Sequence, residues 1–166
     1  MKMADPAREV YVLVGDGSYL MMAQEIVTAV QEGFKLTIVL LDNHGFSSIG
    51  GLSRACGNEG LGTNYRYRQG DKYDGDSLPV DFLNNAASLG ATAVRVKTRD
   101  EFASALNAAR ARTGTSVVVV ETSYENRVPG CESWWDVAIA EVSEQEAVKQ
   151  ARIKYEEALK KERMFF

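Results

Sequence analysis

Two apolar runs, each ending in a polar turn, constrain this chain most. Val10-Tyr11-Val12-Leu13-Val14 leads directly into Gly15-Asp16-Gly17-Ser18, and Leu36-Thr37-Ile38-Val39-Leu40-Leu41 leads into Asp42-Asn43-His44-Gly45. Short apolar runs bounded by turn residues predict buried parallel strands. Open α/β sheets bind ligands outside the carboxyl ends of such strands. Asp16 and Asn43 thus become candidate ligands for one hard cation, because Mg2+ takes about six oxygens and accepts carboxylate and carboxamide alike. Gly15 and Gly17 let the backbone approach a phosphate, and the N–H groups of Gly17 and Ser18 open the following helix. Each residue also has a plainer role. Asp16 could simply complement a helix dipole, and Asn43 could be a turn residue helped by Gly45. Their matched depth at two strand ends favours a site for Mg2+ plus a diphosphate.

The bulk properties agree with an ordinary globular domain. The chain has 166 residues, of which 45% are hydrophobic and 25% charged. A formal charge of -4 argues against a nucleic-acid partner held by phosphate contacts. No apolar run approaches the roughly 20 residues of a membrane span. Met1 to Pro6 has no apolar core and does not read as a secretory signal. Cys56 and Cys131 are too far apart for a metal motif, so reduced thiols in a cytoplasmic protein are expected.

Strand and helix patterns alternate along the chain. Strands are expected at 10–14, 36–41, 93–96 and 116–121. Helices are expected from Ser18 to about Gln31, with Met22, Ile26, Val27 and Val30 at helical spacing, then over Asp81–Leu89 and Arg99–Arg112. Ser143-x-x-Glu146 reads as a capping box for a final helix to about Arg163. The stretch from Asn43 to about Ser77 is glycine-rich and lacks periodicity, with short helical turns near Phe46–Leu52. The alternation implies one α/β domain over residues 1–166, a doubly wound parallel sheet with helices on both faces. The charged, turn-like Lys2–Glu9 before a fully apolar strand resembles the exit from a preceding helix, so a longer protein is expected.

Gly15-Asp16-Gly17 followed by Asn43 resembles the thiamine diphosphate-binding motif of acetolactate synthase-like enzymes. The resemblance covers the whole chain. The strings Val12–Ile26 and Glu132–Val137 are most similar to the branch that hydrolyses a cyclic dione in inositol breakdown. It implies a three-layer α/β/α diphosphate-binding domain, C-terminal in its enzyme and without its first strand and helix. Asp16, the Asn43 side chain and the Gly45 carbonyl would hold Mg2+. The Gly17 and Ser18 N–H groups would hold the diphosphate, beside Gly15. Phe46, with Ser47 and Ser48, reads either as lining the cofactor cleft or as a short hydrophobic plug. The family's usual Asn-Asn pair reads Asp42-Asn43 here, a departure at the position that is not the ligand. No catalytic residue is expected in this chain, because the glutamate that activates the cofactor comes from a separate N-terminal domain of a partner subunit. The resemblance implies a carbonyl substrate, homo-oligomeric assembly, and a chain inactive by itself. Decarboxylation of a 2-oxo or semialdehyde acid is the same-class alternative. A non-catalytic, flavodoxin-like phosphate-binding module is the alternative of another class.

Other residues have quieter readings. His44, the only histidine, reads as an exposed loop residue. Tyr65-Arg66-Tyr67-Arg68 alternates base and aromatic, but the acidic chain makes a loop or subunit contact the better reading. Asp71, Asp74 and Asp76 miss the calcium-loop spacing and read as turn residues. Trp134-Trp135, beside Pro129-Gly130, is expected at a subunit interface.

Overall fold

A computed structural model describes residues 1–126 and 137–163. The readings on Pro129, Gly130, Cys131 and Trp134-Trp135 lie outside the described residues. The chain divides into two compact units: Met1–Phe46 with Ser77–Tyr124, and Ser47–Asp76 with Glu125–Phe166.

The first unit holds the sheet. Strands β1 (Tyr11–Gly15), β2 (Thr37–Asp42), β3 (Thr92–Val96) and β4 (Ser116–Glu121) run parallel in the order β1-β2-β4-β3. The register aligns Val14 with Leu40 and Leu40 with Val119. Leu40, Val117, Val118 and Val119 are fully buried, as expected of central strands covered on both faces. One face carries α1 (Asp16–Met22), α2 (Glu25–Gln31) and α4 (Phe82–Ser88). The Tyr19 ring meets Phe82 edge-on at 5.8 Å, and its hydroxyl donates to Asn85 Oδ1 at 2.8 Å. The other face carries α5 (Arg99–Ala111), where Ala105, Phe102 and Leu106 pack on Val96, Val118 and Val120. Tyr11 and Leu13 of the edge strand β1 stay exposed.

Three local expectations are corrected. The helix after Asp16 divides at Ala23–Gln24, where Ile26 N–H donates to Ala23 O and Val27 N–H to Gln24 O, three residues back. Such tightening changes the rotation per residue. Ile26 and Ala29 turn inward, while Met22, Val27 and Val30 remain exposed. The capping box expected at Ser143 does not form. Ser143 Oγ accepts instead from Gln145 N–H, two residues on, and α6 (Glu146–Leu159) begins after Gln145. The box that does form is Thr98 with Glu101 at the start of α5.

In the second unit, α3 (Ser47–Ala55) occupies the place of the expected short helical turns. Gly57, at φ +83°, packs so tightly on α6 that a Cβ there would lie 2.5 Å from the Ala147 carbonyl oxygen. The Tyr65–Arg68 stretch enters a turn closed by pairing of Gln69 with Lys72. Arg66 donates to Gly75 O, and Arg68 lies over the Tyr73 ring. Asp76 O accepts from Tyr67 N–H, which agrees with a turn reading for this stretch.

Candidate cofactor site

The parallel register places the ends of β1 and β2 side by side, with Gly15 paired to Leu41. Asp16 therefore starts α1 directly opposite the turn that follows Asp42. Its carboxylate is almost fully buried, at 1% exposure. It survives burial because backbone donors surround it. Oδ1 accepts from Gly17 N–H at 2.7 Å, and Oδ2 accepts from Asn43 N–H at 3.1 Å and Gly45 N–H at 3.0 Å. One side chain thus fastens both turns together.

Burial pushes the Asp16 carboxyl above the usual carboxylate range. The N–H groups of Gly45 and Gly17 oppose that shift, and the nearby Asp42 carboxylate adds to it. Asp42 is itself buried, so two acidic groups share a poorly solvated corner. A divalent cation would relieve that arrangement. Asn43 Oδ1 is also buried there, with no hydrogen bond to that atom. Among the described residues no three His, Cys, Asp or Glu side chains gather as a metal cluster. The side-chain donors here are a carboxylate and a carboxamide, oxygens suited to a hard cation such as Mg2+. The chemistry of the corner fits the metal.

The other expected residues divide. Gly15 adopts φ -77°, ordinary for any residue, and a Cβ built on it would meet nothing within 4 Å. Open space beside a glycine at a strand end suits the close approach of a ligand. Gly17 is different, because a Cβ there would lie 2.5 Å from the Phe46 ring. Phe46 thus lies against the α1 turn, and Gly17 makes that contact possible. The Gly17 N–H, expected to meet a phosphate, donates here to Asp16. Ser18 is exposed at the same helix start.

The sequence reading missed how the second turn is held. Asp42 Oδ1 accepts from His44 N–H at 3.1 Å. That is the side-chain turn an aspartate makes two residues ahead of itself. His44 has φ +61° and is not a plain exposed loop residue. Its ring is half-buried, with Nδ1 3.3 Å from Asp42 Oδ1 and Nε2 2.9 Å from the Leu78 carbonyl. The Asp-x-His spacing was a readable signal for the first contact. Leu78 was not readable, because it lies 34 residues away.

Comparison with known proteins gives this geometry a family. Residues 1–120 match the family described as thiamine pyrophosphate enzyme, C-terminal TPP binding domain. The chain belongs to that family. This TPP-binding domain is 37% identical to a 3D-(3,5/4)-trihydroxycyclohexane-1,2-dione hydrolase of Clostridium botulinum (strain Eklund 17B / Type B), over 99% of the chain and 26% of the relative. It is 38% identical to the hydrolase of the same name from Bacillus thuringiensis (strain Al Hakam), over 90% of the chain and 24% of the relative. The domain therefore spans about a quarter of the length of these relatives. Among solved structures, benzoylformate decarboxylase from Polynucleobacter necessarius is 27% identical, with a TM-score of 0.60 over 76% of this chain and 22% of that one. No helix among the described residues is long and apolar enough to cross a membrane.

Proposed function

We propose that this domain supplies the metal and diphosphate half of a thiamine diphosphate site in an enzyme that cleaves a C–C bond beside a carbonyl. The observation that carries the reading is the junction of the two turns: a buried, cation-poor carboxylate at Asp16 that accepts from both Asn43 and Gly45. Asp16, the Asn43 side chain and the Gly45 carbonyl are the assigned Mg2+ ligands. Gly15 leaves room for the diphosphate, the exposed Ser18 offers an N–H group at the helix start, the Gly17 N–H serves the diphosphate only by leaving Asp16 Oδ1, and Phe46 flanks the cofactor. The bound cofactor supplies an electron sink for the cleavage. The domain's own part is to clamp and orient the cofactor and to exclude water from its diphosphate end.

The hydrolase names of the relatives support a ring-dione substrate, hence hydrolysis in inositol catabolism. A second reading, decarboxylation of a 2-oxo acid, draws support from the benzoylformate decarboxylase likeness. Family membership leaves the flavodoxin-like module without ground. The chain acts with further domains of a longer, homo-oligomeric cytoplasmic enzyme and is inactive by itself, its relatives being about four times as long. Calorimetric titration of the full-length enzyme with thiamine diphosphate tests the reading. Binding that requires Mg2+ and is lost in Asp16→Ala supports it, whereas Mg2+-independent binding or no binding by the wild type counts against it. Turnover of the ring dione against benzoylformate by the full-length enzyme separates the two substrates.

A further inference from the structure

We propose that His44 is a positioning residue, which tethers the Asn43–Gly45 turn to the segment leading into α4 and so presets the metal-binding geometry. The inference rests on the cofactor reading above for its purpose, though not for its geometry. A carbonyl oxygen only accepts, so His44 Nε2 carries the hydrogen and donates to Leu78 O at 2.9 Å. Three residues beyond Leu78, Asp81 caps α4, accepting from Asn84 N–H at 3.1 Å. The next residue, Phe82, is fully buried and meets the His44 ring edge-on at 6.5 Å. Phe82 in turn meets Tyr19 of α1. The imidazole therefore joins the metal turn to the helix that follows Leu78, and through Phe82 to the helix that begins at Asp16.

The backbone supports a specific role. A non-glycine residue at φ +61° is uncommon, and histidine, asparagine and aspartate are the types that tolerate it. With His44 in that conformation, the N–H groups of Asn43 and Gly45 on either side both point at Asp16 Oδ2. A turn released from Leu78 would lose the restraint on both donors together.

Two substitutions separate tether from backbone. His44→Asn tolerates the left-handed conformation, but its carboxamide is too short to reach Leu78. His44→Gln strains the backbone yet keeps a donor at the Nε2 distance. Amide hydrogen exchange in the metal-free chain is the readout. His44→Asn is expected to exchange about two- to twelve-fold faster at Asn43 and Gly45, the loss of one hydrogen bond, with Val117–Val119 unchanged. His44→Gln should restore slow exchange at both amides. Faster exchange in His44→Gln than in His44→Asn would overturn the tether, because backbone tolerance alone would then explain the residue. Equal acceleration across β4 in both variants would overturn it too. Mg2+ titration of the full-length enzyme by calorimetry tests the cofactor reading separately. If the full-length enzyme takes up neither Mg2+ nor cofactor, that reading fails while the exchange rates still decide the tether.

Discussion

The two turns at the ends of β1 and β2 build one corner in opposite ways. The first turn, Gly15 to Ser18, contributes charge and space: a buried carboxylate, and a glycine with nothing beside it. The second, Asp42 to Phe46, contributes donors and shape: two N–H groups aimed at that carboxylate, a left-handed histidine, and a ring laid against Gly17. Neither turn is complete alone. The first would bury an unpaired charge, and the second would bury N–H groups without acceptors. A corner assembled from two partial turns depends on their register, and β1–β2 pairing is what holds it.

Removing the carboxylate should break the corner most severely. Asp16→Ala leaves the N–H groups of Gly17, Asn43 and Gly45 without their acceptor. Unsatisfied buried donors cost about 1–3 kcal/mol each when they cannot find water. With some rehydration at the turn, the metal-free variant should lose about 2–4 kcal/mol in urea denaturation. Its melting temperature should also stop responding to Mg2+. Unchanged stability would mean that the second turn holds its shape without the first.

Gly17→Ala should follow, through packing alone. Its Cβ would lie 2.5 Å from the Phe46 ring, which must then move. Overpacking of this kind costs about 1–3 kcal/mol. Gly17→Ala combined with Phe46→Ala removes the clash, so a double-mutant cycle should show strong coupling between the two sites. Additive losses would place the cost elsewhere.

These contrasts also explain which parts were legible in the sequence. The sheet was legible because β2 and β4 are buried on both faces and read as near-continuous apolar runs. Asp16 and Asn43 were legible as neighbours because each stands two residues beyond an apolar run, although β1, expected to be buried, is an edge strand with Tyr11 and Leu13 exposed. What failed depended on partners distant in the chain or on fine rotation. Val27 and Val30 fitted the helical period, yet the tightening at Ala23–Gln24 turned them to solvent. Ser143 and Thr98 both carry a glutamate three residues on, but only Thr98 caps a helix, since the Ser143 hydroxyl serves a tighter local turn. His44 looked like a loop residue because its second partner, the Leu78 carbonyl, carries no side-chain signature.

The charge of the first turn has a pH signature of smaller size. Burial raises the Asp16 pKa in the folded state above its unfolded value of 3.8. Ionised Asp16 is therefore a liability in the metal-free fold, and protonation relieves it. The stability of wild type relative to Asp16→Asn should rise as pH falls from the raised value towards 3.8 and level off below it. Saturating Mg2+ should flatten that dependence over the same window, because the cation stabilises the ionised form. Asp81, whose pKa its bonds to Asn84 lower, trends the opposite way, but it cancels in the comparison of the two proteins. A difference that shrinks on acidification would contradict the burial argument.

Gly15→Ala should produce the smallest change in stability and is the sharpest test of what the empty space is for. At φ -77° alanine is unstrained, and its Cβ would touch nothing within 4 Å. Gly-to-Ala at a compatible site stabilises by about 0.4–1 kcal/mol through the unfolded chain, while alanine is a slightly poorer residue than glycine ahead of a helix. The two effects nearly cancel, so urea denaturation of the metal-free chain should move by no more than about 0.5 kcal/mol. Cofactor binding should not be spared. If thiamine diphosphate reaches the backbone at the end of β1, one methyl group in its path should weaken the Mg2+-dependent binding at least tenfold by calorimetry. Gly17→Ala would then lose both stability and binding, and Gly15→Ala binding alone. That split distinguishes a glycine kept for the fold from one kept for a ligand. Full binding by Gly15→Ala would instead mean that the diphosphate sits away from β1, closer to the second turn.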